Sequence, residues 1–150
     1  MSTRYAELHC ISSFSFLRGA SQPEELIARA CELGYTALAL TDECSVAGVV
    51  RAHAALAERL RIAQEGGKAP PLTRLIVGAE FCLDCGLRFA ALAADRAGYG
   101  ALCRLISRGR RAAAKGEYRL TRADVAELLP PGPCLLLWLP RAGQGAAAGP

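Results

Sequence analysis

Four polar residues stand where an α/β chain could do chemistry: His9, Asp42, Glu43 and Glu80. His9 lies in an apolar run, Asp42 and Glu43 close the run from Tyr35 to Thr41, and Glu80 interrupts Val77-Gly78-Ala79-Glu80-Phe81. An isolated carboxylate beside apolar strands is costly, so each must pair, reach water or bind a cation. An imidazole with several carboxylates is a donor set that a divalent metal accepts. Spacing alone equally allows four hydrogen-bonded strand-end residues with no ligand.

Other constellations lead less far. Cys82-Leu83-Asp84-Cys85 is a C-x-x-C, but Cys103 and Cys134 do not supply the second pair of a zinc site. It falls on a strand and turn, whereas a redox pair begins a helix. Cys10 and Cys44 flank the polar set, yet only His9 and His53 exist as imidazole bases, without triad context. Gly66-Gly67-Lys68 lacks the rest of a phosphate loop. Phe14, Phe16 and Tyr5 read as core or loop packing rather than base-stacking platforms.

The elements that must position these residues follow from periodicity. Tyr5 to Ile11 reads as a strand with Leu8 inward, and Ser12 to Ala20 as a loop. Ser21-Gln22-Pro23-Glu24 resembles a capping box opening a helix with Leu26, Ile27, Ala30 and Leu33 in step, stopped by Gly34. Tyr35 to Thr41 is a buried parallel strand by composition. A helix over Val46 to Gln64 carries Val49, Val50, Ala54, Leu56 and Leu60 on or near its buried side. Leu75 to Leu83 and Leu87 to Ala93 form a strand pair around the turn Asp84-Cys85-Gly86. Helices from Arg96 to Ala114 and from Thr121 to Leu129, then a strand from Cys134 to Leu139, complete an α/β domain with a mainly parallel sheet.

Length and composition agree. The chain has 150 residues, 52% hydrophobic and 21% charged, which suits one domain with a buried core. No apolar run is long enough to span a membrane. The absence of a signal-like start and the odd count of seven cysteines predict a cytoplasmic chain with reduced thiols. Charge is uneven: residues 1–100 hold 10 Lys/Arg against 11 Asp/Glu, residues 101–150 hold 8 against 3. Arg104, Arg108, Arg110, Arg111 and Lys115 form an acid-free basic stripe suited to nucleic-acid phosphates, or simply to solvent.

Three stretches resemble a known family. They are Leu8 to Ala20 with Pro23-Glu24-Glu25-Leu26, Leu38 to Gly48 with its Thr41-Asp42-Glu43-Cys44, and Ile76 to Phe81 with Ala97 to Ser107. Together they are similar to the PHP (polymerase and histidinol phosphatase) domain that opens bacterial C-family DNA polymerases. Thr-Asp-Glu-Cys, with Gly109-Arg110-Arg111 and Lys115-Gly116, resembles the error-prone branch. The resemblance covers residues 5 to about 139.

It implies a partial distorted β/α barrel of the PHP type over residues 1–140, with a linker-like tail at 141–150. It implies a parent DNA polymerase of translesion synthesis and repair, working with DNA, a sliding clamp and other translesion proteins, with no membrane partner. The polymerase residues of the family lie outside this chain, so no catalytic residue is assigned here and no polymerase activity is expected of the chain alone. As 150 residues are few for the barrel, the isolated chain is expected to expose sheet edge and aggregate.

At the family's metal site His9 and Glu80 match ligand positions, and the family's Thr-Asp-His becomes Thr41-Asp42-Glu43, with Glu43 as a possible substitute ligand. Ile11 stands where a second imidazole belongs, and Arg88 where relatives often have histidine. An aliphatic side chain offers no lone pair and guanidinium stays protonated. The set therefore predicts at most a residual divalent ion (Zn, Mn or Mg), with Arg88 pairing Glu80 or Glu43 instead. The competing expectation is a metal-dependent phosphoesterase or 3′–5′ proofreading exonuclease.

Overall fold

A computed structural model describes residues 4–129 and 131–140. The chain divides after Ala79 into two compact units.

The first unit contains β1 (Ala6–Cys10), α1 (Pro23–Glu32), β2 (Ala37–Leu40), α2 (Val49–Glu65) and the start of β3 (Arg74–Cys82). Its strands pair in parallel, β1 with β2 and β2 with β3. Each link is a helix, as parallel neighbours require a crossover. All four residues of β2 are buried, which explains its uninterrupted apolar sequence. The helices pack Ile27, Ala30, Ala52 and Leu56 against Leu38 and Leu40. At α1 the cap is Gln22 rather than Ser21: the Glu25 carboxylate accepts a hydrogen bond from the Gln22 N–H at 2.7 Å. Gly34 ends the helix with φ at +70°, a conformation that glycine adopts without a Cβ penalty.

Four apolar assignments change. Val50 is 74% exposed and Ala54 is exposed, because Ala52, Leu56 and Ala63 define the buried face of α2. Positions 50 and 54 each lie two residues, about 200°, from Ala52 and so on the far side. Leu8 is not inward either. Glu7 pairs with Leu38 and Cys10 with Leu40, so β1 spends one more residue than β2 between those pairings. That bulge turns Leu8 and His9 outward, and both are exposed. Phe16, 85% exposed, and Leu17, 90% exposed, stand on the loop surface rather than in packing. Tyr5 stacks edgewise on Tyr35.

The second unit contains the end of β3, β4 (Arg88–Ala93), α3 (Arg96–Arg111), α4 (Arg122–Leu128) and β5 (Cys134–Trp138). A turn over Leu83 to Leu87 links β3 to β4, closed by the Leu83 N–H on the Leu87 carbonyl. β5 runs antiparallel to β4, so the parallel pairings belong to the first unit. Phe81 and Phe89 stack at 5.5 Å, and Leu102, Leu105 and Leu120 are fully buried. α3 begins at Asp95, whose carboxylate accepts from the Gly98 N–H. α4 begins with the reciprocal Thr121–Asp124 capping box its sequence predicts. The tail at 141–150 lies outside the described residues.

Candidate functional site

In the first unit the chemistry gathers just after β1 and β2. Asp42 follows β2 and is 1% exposed. Its Oδ1 accepts from the Ser12 N–H and the Ser15 hydroxyl, and its Oδ2 from the Ser12 hydroxyl, all at 2.7 Å. Ser12 and Ser15 are themselves buried. Three donors thus satisfy a carboxylate that burial would otherwise penalise. The same hydroxyls are shared onward: the Phe14 N–H donates to Ser12 Oγ and the Glu43 N–H to Ser15 Oγ.

The loop from Ile11 to Ala20 is wound around this carboxylate. The Ser15, Arg18 and Gly19 N–H groups donate to carbonyls within the loop. Gly19 has no substitute there, since a Cβ would stand 2.0 Å from the Ser12 carbonyl oxygen. Arg18 reaches Glu43 at 2.8 Å, with both side chains about a third exposed. His9 lies in the β1 bulge, exposed, and its backbone N–H donates to the Glu7 carboxylate. Burial is the first cause that pushes the Cys10 thiol up to about 11, with the charges of Glu7 and Asp42 adding to it. It stays protonated at neutral pH and is a poor nucleophile.

In the second unit Glu80 is 0% exposed, and Arg88 Nη2 donates to its Oε1 at 2.5 Å. The two residues face each other from β3 and β4, on either side of the turn. A guanidinium here neutralises a carboxylate shut off from bulk solvent.

These contacts decide what the site offers a metal. Asp42 is held by serine donors, Glu43 by Arg18 and Glu80 by Arg88. Among the described residues no three His, Cys, Asp or Glu side chains form a group that could hold a metal ion. Sequence reasoning missed Ser12, Ser15 and Arg18. Their one available signal is a Ser-x-x-Ser followed by Arg in a loop next to a strand end.

The basic stripe is placed on and after α3. Arg108 is neutralised by Asp124 at 2.9 Å and Glu127 at 3.1 Å. Arg110 lies over the Tyr118 ring at 5.4 Å and donates to the Gly116 and Glu117 carbonyls. Arg104, Arg111 and Lys115 are exposed. In the turn before β4, Cys85 is exposed and accepts from Arg122 Nε at 3.4 Å, which holds its thiol below the usual range.

The family described as PHP domain matches residues 7–130. An error-prone DNA polymerase of Azoarcus sp. (strain BH72) is 51% identical over 95% of this chain and 15% of its own length. One from Aromatoleum aromaticum is 57% identical over 91% of this chain and 12% of its own length. Among solved structures, an amidohydrolase from Chromobacterium violaceum is 28% identical and covers 71% of this chain and 36% of its own, with a TM-score of 0.47. The chain thus spans under a sixth of the length of these curated relatives.

Proposed function

This chain belongs to the PHP domain family, and from that footing we propose that it is the PHP module of an error-prone DNA polymerase that acts in translesion synthesis and DNA repair. The module's own part is structural. It supports a polymerase whose DNA, sliding clamp and further translesion partners are engaged by the parent protein in the cytoplasm. The relatives named error-prone DNA polymerase, more than half identical over nearly all of this chain, support the parent's identity.

One observation carries the structural role: the buried Glu80 carboxylate is closed by Arg88 at 2.5 Å. A hydrolytic PHP site would use such a carboxylate to hold a metal that activates water. Here a fixed organic cation supplies the positive charge, and guanidinium can neither release a proton at neutral pH nor polarise water as a Lewis acid does. Asp42 acts as a hub that sets the loop from Ile11 to Ala20, and the Arg18–Glu43 pair ties the tip of that loop to the end of β2.

The test is metal retention. The purified chain, dialysed against Zn²⁺ or Mn²⁺ and then against buffer, retains no stoichiometric metal, and it cleaves no DNA with Mn²⁺ present. Tight stoichiometric retention, or Mn²⁺-dependent cleavage lost in Glu80→Ala, would overturn the reading. Primer extension is absent with the chain alone.

A further inference from the structure

α3 and α4 border an open groove of about 690 Å³ in the second unit. Arg104, Ser107, Arg108 and Arg111 enter it from α3, and Leu128 from α4. Spacings of three and four residues place these α3 side chains on one face. Their charges are not equivalent. Arg108 is spent on Asp124 and Glu127. Arg104 and Arg111 form no ion pair among the described residues, and both are exposed. Asp124 and Glu127 are thus engaged by Arg108, while the groove carries two further guanidinium groups, Arg104 and Arg111, with Ser107 between them in sequence.

We propose that this groove binds the phosphodiester backbone of a nucleic acid, with Arg104 and Arg111 on separate phosphates and Ser107 donating between them. Guanidinium offers paired donors that match phosphate oxygens, and the hydroxyl adds a neutral one. Arg104 and Arg111 are seven residues apart, about 10 Å along the helix axis. That separation suits a ligand with repeated phosphates better than a single anion. Contacts to phosphates carry no sequence information, so binding through them is expected to be sequence-independent. Arg108 plays a different part, since its pairs with Asp124 and Glu127 fix α4 against α3 and so set the groove's width. Arg110 is turned away onto Tyr118. The inference rests on the reading of this chain as a polymerase module, but it is read out by DNA binding rather than by metal.

The experiment is fluorescence anisotropy of the 150-residue chain with labelled single-stranded and duplex DNA across a salt series. Arg104→Ala/Arg111→Ala is compared with Arg29→Ala, which removes a 67% exposed arginine elsewhere. Far-ultraviolet circular dichroism confirms that each variant keeps its fold. The double variant is expected to weaken binding, and its log–log salt slope to become shallower by about 1.4–1.8, two phosphate contacts' worth. Equal loss in Arg29→Ala, an unchanged slope in the double variant, or no binding by the unaltered chain at low salt would overturn the proposal. So would displacement of the oligonucleotide by inorganic phosphate at matching phosphate concentration, which would mark a single-anion site. Metal retention with groove-dependent DNA binding would sink the structural reading alone. No retention with groove-independent binding would sink this inference alone.

Discussion

Asp42 and Glu80 pose the same problem in the two units: a carboxylate at or beside a strand, almost wholly removed from water. The first unit answers with neutral donors. A loop is wound so that one N–H and two hydroxyls point at Asp42. The second unit answers with one cation reaching across from the neighbouring strand. The neutral answer spreads the stabilisation over several backbone-anchored contacts and depends on the loop's shape. The cationic answer places a full opposite charge, Arg88, against the carboxylate. Two buried carboxylates, Asp42 and Glu80, are thus held by two different physical devices.

The largest effect that would test this contrast is at Arg88. Arg88→Ala removes the cation that faces the buried Glu80 carboxylate, and should lower stability by about 3 kcal/mol or more. Urea unfolding measures it, and Arg88→Ala/Glu80→Leu should recover much of the loss because the buried charge is removed as well. A loss under 1 kcal/mol would mean that water or another group reaches Glu80 (about the limit for an exposed pair).

Next comes Ser12→Ala, which removes one of the Asp42 donors. A loss of about 1–3 kcal/mol is expected, and it should persist in high salt because the donor is neutral. Salt-sensitivity of that loss would blur the distinction between the two devices.

Arg18→Ala is expected to be milder, about 0.2–1 kcal/mol, since the Arg18–Glu43 pair is partly solvated. Raising ionic strength should shrink the difference from the unaltered chain.

The smallest test touches no stability at all. Alkylation needs the thiolate, so a depressed pKa brings reaction on at lower pH and a raised one delays it. Iodoacetamide at neutral pH should therefore label Cys85, held low by Arg122, well before Cys10, whose thiol lies near 11. Peptide mapping reads the order, and Arg122→Ala should narrow the gap. Equal labelling of the two would show that exposure and the arginine contact do not govern reactivity here.

Much of the fold was legible because each element announces itself locally. The Thr121-x-x-Asp124 box, the run Ala37 to Leu40 and the Asp84-Cys85-Gly86 turn each occur where composition puts them. Faces were less legible than elements. Val50 and Leu8 are apolar, but which side of a helix or strand is covered depends on what packs there, and a bulge in β1 reverses the alternation. Leu17 and Phe16 show the same limit: their loop is shaped by a polar centre, so its apolar tips stay outside.

The sequence by itself determined the family, the element order and the roster of groups: a histidine without its second imidazole, three carboxylates, and an arginine in a ligand's place. Only the tertiary structure decided their pairings. Asp42 meets residues about 30 positions earlier in the chain, Glu80 meets Arg88 across a turn, and Arg108 meets acids on the next helix. A residue's type sets what it can bond, but which partner lies within about 3 Å is a property of the folded chain. That distance separates a carboxylate open to a cation from one that the protein has already neutralised.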